Sequence, residues 1–243
     1  MLEGLDSDLV VLPELAVSGY NFESAGQARS LGEPADGPTA RMLSVLAAET
    51  GAHYVIGIAE AEGNALYNSA ILVGPGGLIG CYRKAHLFFH EKDFFLPGNS
   101  GFRIFEVNGI KLGLLVCFDH MFPEAARTLA LGGAQIICHP SNLVIPEYAQ
   151  LTTRVRALEN RVFWLLSNRT GPETGKAGEL VFTGESQIVA SNGSVPAKAG
   201  ATEETVISAE IDPGKAKDKK VTALNDLFED RREELYRLRR DTL

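Results

Sequence analysis

Short apolar runs separated by turn residues set the rhythm of the chain. They fall at 8–12, 53–59, 66–73, 78–82, 102–107 and 111–116, and again at 134–138, 162–167, 186–190 and 205–211. Runs of this length bounded by Gly, Pro and Asn predict strands that are buried on at least one face. Asn108-Gly109 joins two of them as a two-residue hairpin, because both central positions of the favoured turn need φ > 0. Gly74-Pro75-Gly76-Gly77 predicts a second hairpin. It does not read as a phosphate loop, since neither a Lys-Ser/Thr pair nor a helical pattern follows it.

Helical periodicity is rarer. The segment 38–50 places Met42, Leu43, Leu46 and Ala47 on one face and stops at Gly51, and 122–131 has Pro123 near its start and Gly132-Gly133 at its end. The segment 147–161 spaces Tyr148, Leu151, Val155, Leu158 and Val162 three to four residues apart. Each predicted helix lies between predicted strands. The pattern is that of an α/β layered fold with antiparallel hairpins mixed into its sheets. The charged stretch 226–240 carries Leu227, Phe228, Leu235, Tyr236 and Leu238 among Glu, Asp and Arg. It predicts either a solvated terminal helix or an arm, 226–243, that lays its apolar residues on another subunit.

At 243 residues and 45% hydrophobic content the chain can bury a core as one domain, 1–243. A net charge of -8 opposes nucleic-acid and anionic-membrane partners, whose phosphates require clustered Lys and Arg. A small-molecule partner is expected instead. The cysteines, Cys81, Cys117 and Cys138, are odd in number at unrelated spacings, with no signal peptide ahead of them, which predicts reduced thiols in a cytoplasmic protein. No apolar run approaches the roughly 18 residues of a membrane span.

Three predicted strands end on groups with chemistry. Glu14 closes Leu9-Val10-Val11-Leu12-Pro13, Lys84 closes Leu78-Ile79-Gly80-Cys81-Tyr82-Arg83, and Cys117 closes Leu112-Gly113-Leu114-Leu115-Val116. Polar groups just beyond the carboxyl ends of buried strands converge on one crevice in open α/β sheets. A cation such as Lys84 lowers a neighbouring thiol pKa, a carboxylate in a dry pocket can take the thiol proton, and the ammonium can hydrogen-bond the oxyanion of a tetrahedral intermediate. Together they would make an acyl-transfer site.

The sequences around all three resemble the carbon–nitrogen hydrolase (nitrilase) superfamily. Val10-Val11-Leu12-Pro13-Glu14 with Ser18-Gly19-Tyr20 is similar to its glutamate motif, and Tyr82-Arg83-Lys84-Ala85-His86-Leu87 to its lysine motif. Val116-Cys117-Phe118-Asp119 with Phe122-Pro123-Glu124 is similar to its nucleophile motif, and the likeness continues through His139-Pro140-Ser141-Asn142 and Arg156-Ala157-Leu158-Glu159-Asn160. The resemblance implies that Glu14 is the general base, Lys84 the oxyanion stabiliser, Cys117 the nucleophile that forms a thioester, and Glu91 a second glutamate that positions substrate or Lys84. Tyr20, Phe118 and Asn142, in the same motifs, are the substrate-binding candidates. It also implies an αββα sandwich that dimerises into αββααββα, no metal and no organic cofactor. Its substrates would be a small amide, an N-carbamoyl compound or a nitrile, and Phe118-Asp119 after the nucleophile favours amide over nitrile. The family's first strand and helix have no counterpart ahead of residue 8, so the expected sandwich lacks them and the strand before Glu14 has an uncovered neighbour.

Other readings use the same residues. A thiol enzyme would pair Cys117 with His120 or His139. A metal site from Cys117, His120, Cys138 and His139 lacks the paired spacing of structural zinc sites, and His86 and His90 lack the Glu that a zincin carries between its histidines. A non-catalytic binding module on the same scaffold is the alternative of a different class.

Overall fold

The computed structural model describes residues 4–236. Two sheets carry the chain. The first has the order β1 (Leu9–Val11), β2 (His53–Glu62), β3 (Ala65–Gly74), β4 (Gly77–Arg83), with β1 parallel to β2 and the remaining pairs antiparallel. The second is built on β5 (Ile104–Val107), β6 (Ile110–Leu114), β7 (Ile136–Ser141) and β8 (Phe163–Asn168), where β6, β7 and β8 run parallel. A hairpin of β9 (Thr170–Gly175) and β10 (Gly178–Thr183) follows, and β11 (Gln187–Val189) and β12 (Ala197–Lys198) then extend the second sheet beyond β8. β13 (Lys220–Thr222) and β14 (Asn225–Asp226) pair separately. Both predicted hairpins form: Asn108 and Gly109 have φ 51° and 76° between β5 and β6, and Gly74 pairs with Gly77 between β3 and β4.

Alternation along the strands decides what each face meets. Val55, Ala70, Leu72 and Tyr82 of the first sheet share a core with Leu112, Leu114 and Ile136 of the second, so the two sheets pack face to face. The intervening residues Tyr54, Ile56, Ile58, Ile71 and Val73 point the other way, onto Ala40, Leu43 and Ala47 of helix α2 (Pro38–Thr50). α1 (Ala25–Ser30) precedes it. The far side of the second sheet carries α3 (Pro123–Leu131) and α4 (Tyr148–Asn160), whose Ala125, Ala126, Leu129, Ala149 and Ala157 enter the same core as Trp164.

Several sequence expectations need correction. The apolar stripe of α4 faces solvent: Tyr148, Leu151, Val155 and Leu158 are exposed, and the buried side is Ala149, Gln150, Thr153, Ala157 and Asn160. Small residues let the helix approach the sheet, and Gln187 Nε2 fixes it there through Thr153 Oγ1 at 2.7 Å and the Gln150 carbonyl at 2.9 Å. Val162 is buried beyond the left-handed Arg161 that ends the helix and is not on its face. Met42 of α2 is exposed too. The run 205–211 forms no ladder; it borders a groove of about 1420 Å³ beside β1, opposite Ile110, Ile136 and Leu165. Among the described residues β2 is the only strand on β1, so its other edge is unpaired. The stretch 226–236 is no α-helix: it holds turns and a single 3-10 turn, Glu233–Leu235, with Leu235 and Tyr236 exposed and Phe228 packed on the core. Leu238 and the remainder of the tail lie outside the described residues.

Candidate active site

Glu14 follows β1 at a place where chain and sheet nearly touch. The Gly57 N–H donates to the Pro13 carbonyl at 3.0 Å, and a Cβ on Gly57 would sit 2.4 Å from the Glu14 Cα. Only glycine permits that approach. The Asn142 side chain, at the end of β7, donates to the Glu14 carbonyl at 2.8 Å and so ties the first sheet's end to the second's. Lys84 leaves β4 with its N–H on the Asn68 carbonyl and its own carbonyl accepting from Gly98 N, both at 2.8 Å. Here too a side chain is excluded, since a Cβ on Gly98 would meet the Arg83 carbonyl oxygen at 2.0 Å.

The charged groups form one buried network. Lys84 Nζ lies 2.7 Å from Glu14 Oε1 and 2.7 Å from Glu91 Oε1, and all three side chains are withdrawn from solvent. The Tyr20 hydroxyl donates to Glu91 Oε1 at 2.8 Å, and Asn68 Nδ2 donates to Glu14 Oε1 at 2.7 Å. Glu91 is presented by a 3-10 turn, Phe89–Asp93, whose start it caps by accepting the Phe88 N–H on Oε2 at 3.2 Å. Burial opposes the ammonium of Lys84, yet the two carboxylates outweigh it and its pKa rises, so the cation persists. Burial and the charge of Glu14 push the Glu91 pKa up to about 7 against the pull of Lys84. Glu14 Oε2 is buried and has no hydrogen-bond partner among the described residues.

Cys117 stands at the first position of a 3-10 turn, Cys117–Met121, three residues past β6, with φ 42°. Asp119 fastens this turn by accepting the Val116 N–H at 2.9 Å, the Tyr82 hydroxyl at 2.9 Å and the His86 ring Nδ1 at 2.7 Å. The thiol is buried, and its pKa is raised well above the ordinary value: burial acts first and Glu14 adds to it, while Lys84 only partly offsets them. Lys84 does act in the expected direction, lowering the thiol pKa, but burial and Glu14 outweigh it. The shift favours the protonated thiol at Cys117.

Both histidines have one ring nitrogen engaged away from the Cys117 thiol. His120 Nδ1 is engaged by Thr152 Oγ1 at 2.6 Å and His139 Nε2 by the Cys117 backbone carbonyl at 2.8 Å. Among the described residues no three His, Cys, Asp or Glu side chains are grouped to hold a metal ion, and the three cysteines are unpaired. No described helix is long and apolar enough to cross a membrane.

Glu14, Lys84, Glu91 and Tyr20 thus meet in one network, with Cys117 close enough to feel the charges of Glu14, Lys84 and Glu91. Phe118 and Asn142 line a cavity of about 100 Å³ beside Cys117, together with Phe88, Met121, Val144 and Ile145. The Tyr20 hydroxyl is engaged by Glu91 and Asn142 Nδ2 by the Glu14 carbonyl, whereas Asn142 Oδ1 is buried without a hydrogen-bond partner among the described residues. The sequence reading passed over Asn68 and Asp119 as site residues. Asn68 sits mid-strand without a motif, but Asp119 lay within the quoted nucleophile motif and its type alone, an acid in an apolar stretch, was a signal.

Residues 2–220 match the model of the carbon-nitrogen hydrolase family. The nitrilase of Pyrococcus abyssi is 48% identical over 231 residues, which cover 95% of this chain and 86% of that protein. A carbon-nitrogen hydrolase from Helicobacter pylori G27 superposes with a TM-score of 0.85 at 31% identity, covering 95% of this chain and 85% of the other. A mutant amidase from Nesterenkonia sp. AN1, carrying the acetamide moiety of fluoroacetamide on its active-site cysteine, superposes with a TM-score of 0.68 at 29% identity over 81% of this chain and 74% of its own. With the family model spanning most of its length and a relative at nearly half identity, this chain belongs to the carbon–nitrogen hydrolases of the nitrilase superfamily.

Proposed function

We propose that the protein hydrolyses a non-peptide carbon–nitrogen bond of a small amide, N-carbamoyl compound or nitrile through a thioester on Cys117. The observation that carries this reading is the division of labour on Glu14: Oε1 holds Lys84 and Asn68, while Oε2 is buried and free. A free carboxylate oxygen beside a protonated thiol is a general base in waiting.

For an amide the steps follow from the groups present. Glu14 Oε2 takes the thiol proton as Cys117 Sγ bonds to the carbonyl carbon, whose oxygen becomes the oxyanion. An ammonium has three N–H donors, and two of those on Lys84 are committed to Glu14 and Glu91, so the third is available to that oxyanion. Such a donor is worth roughly 3 kcal/mol or more in the transition state. Glu14 then returns the proton to the departing nitrogen and ammonia leaves. Water, deprotonated by Glu14, attacks the thioester; the carboxylic acid departs and the thiol is restored. Glu91 and Tyr20 hold Lys84 in place.

The cavity narrows the choice of substrate. Its lining carries no formal charge: Phe88, Phe118, Met121, Leu143, Val144 and Ile145 are apolar, and His120 is kept neutral by burial, its pKa pushed down to about 4. A carboxylate or ammonium on the acyl group would be desolvated there without a partner. The proposed substrates are therefore short and uncharged on the acyl side, with aliphatic amides ahead of N-carbamoyl amino acids. Ammonia release from a panel of short amides, N-carbamoyl compounds and dinitriles tests this. Turnover of neutral short-chain members by the wild type and none by Cys117→Ala is expected; equal turnover by both proteins would overturn it.

We also propose that the whole chain is one catalytic domain and that it works as a homodimer. The exposed stripe of α4 is apolar along its length, and Lys219 Nζ, bonded to the Asn160 and Arg161 carbonyls at 2.9 and 3.1 Å, brings the segment leading to the tail to the end of that helix. A helix stripe crossing its own twofold mate is self-complementary, as a two-subunit interface requires. Stacked in this way, helix, sheet, sheet and helix of one copy would continue into those of the other to give the αββααββα arrangement, with the tail as an arm.

A further inference from the structure

The φ of 42° at Cys117 is a left-handed conformation that a residue bearing a Cβ enters only at an energetic cost, so the surroundings must hold it. One contact acts directly on its backbone from a distant strand. His139, fully buried on β7, places Nε2 2.8 Å from the Cys117 carbonyl oxygen. Its ring stands edge-on to Trp164, with centroids 5.4 Å apart and planes at 86°, and Ser141 Oγ lies 3.3 Å from the same nitrogen. Burial first, then the nearby His120 and the Lys84 ammonium, both of which oppose a second positive charge, push the His139 pKa down to about 3, so the ring is neutral. A neutral imidazole has one N–H, and a carbonyl partner requires it on Nε2. No step of the proposed reaction uses this side chain.

We propose that His139 is a positioning residue for the nucleophile, its Nε2–H clamping the Cys117 carbonyl and thereby fixing the left-handed turn that aims Sγ into the crevice. The inference rests on the assignment of Cys117 as nucleophile. It differs from a Cys–His pair in that the imidazole neither takes nor gives a proton: it holds backbone. A glutamine can present an N–H near the same place, whereas a leucine fills the volume without a donor.

The test compares His139→Leu and His139→Gln with the wild type in three readouts: kcat and KM on a short amide, the rate of Cys117 carbamidomethylation by iodoacetamide followed by mass spectrometry, and the pH profile. In His139→Leu, kcat and the alkylation rate should both fall roughly tenfold with KM within about twofold, as for a misaimed group. His139→Gln should recover to within about threefold, and neither variant should shift the pH profile. A folded His139→Leu with wild-type rates, a His139→Gln no better than the leucine variant, or a shifted profile would overturn the proposal. Should both variants fail to fold, nitrogen-15 NMR of the wild type decides: the Nε2–H tautomer between about pH 5 and 9 is expected, and Nδ1–H refutes it. If the wild type hydrolyses no member of the panel, the hydrolase reading fails, while the alkylation comparison still decides the role of His139.

Discussion

The Tyr82 hydroxyl donates to Asp119 Oδ2 at 2.9 Å, and by that bond the turn that carries Cys117 is fastened to the strand that ends at Lys84. Both side chains are buried, and the same carboxylate oxygen also accepts the Val116 N–H. Tyr82→Phe removes the donor to Asp119 and the acceptor of the Ala85 N–H while leaving the packing, so it should cost about 1–2 kcal/mol of stability and lower kcat severalfold. Asp119→Ala strips partners from the buried Val116 N–H and Tyr82 hydroxyl and from the half-buried His86, and should cost more. Urea unfolding and steady-state kinetics on both variants check the order.

Removal of the proposed nucleophile is the sharpest mutation. Cys117→Ala should abolish hydrolysis with an unchanged melting temperature, because it removes one small side chain. Cys81→Ala and Cys138→Ala should keep most activity: Cys81 makes a long bond to Glu60, at 3.4 Å, and Cys138 fills core. Equal loss in all three would refute the assignment of Cys117.

Glu14→Gln and Lys84→Met should each lower kcat at least about a hundredfold, the usual consequence of losing a general base or an oxyanion donor. Mass spectrometry of Glu14→Gln incubated with substrate should show the acyl adduct on Cys117, since hydrolysis of the thioester needs the same base. Normal turnover by Lys84→Met would rule out its oxyanion role.

The pKa of Glu91 gives a pH dependence with a defined sign. It is raised to about 7 in the fold from an ordinary 4.5, so the folded state binds the proton more tightly than the unfolded state does. Stability from this group is therefore greatest below about pH 4.5 and declines as pH rises toward 7. His139 and His120 act oppositely: with pKa values of about 3 and 4, they destabilise the fold as pH falls below about 6.5. Denaturant titrations of wild type and Glu91→Gln across this range should show a difference in stability that shrinks steadily between about pH 4.5 and 7 to the disadvantage of the wild type. A difference independent of pH would show that Glu91 does not titrate there.

Assembly can be read by sedimentation. Leu151→Asp on the exposed face of α4 should yield a folded monomer, and deletion from Asp230 onward should weaken the dimer by at least about tenfold in dissociation constant. A dimer unchanged by both alterations would place the interface elsewhere.

Much of the site was legible in one dimension because chain direction and burial already constrain it. A run such as Leu9-Val10-Val11 or Leu112-Gly113-Leu114, short and bounded by turn residues, reads as a strand, and a polar residue just past its carboxyl end falls at the rim of the sheet, which is why Glu14, Lys84 and Cys117 could be singled out before any contact was known. The two hairpins were equally local, set by Asn108-Gly109 and by the glycines around Pro75. What only the tertiary structure decided are quantities that depend on neighbours distant in sequence. The thiol of Cys117 is raised and not lowered, because its own burial and Glu14, 103 positions away by number, outweigh Lys84. The face that α4 buries was set by Gln187 and the close approach of small residues, against the apparent amphipathic pattern. Strand formation at 205–211 required a ladder partner that propensity cannot provide. The left-handed turn at Cys117 and the histidine on its carbonyl follow from β6 and β7 lying side by side, a pairing that no local pattern of either strand specifies.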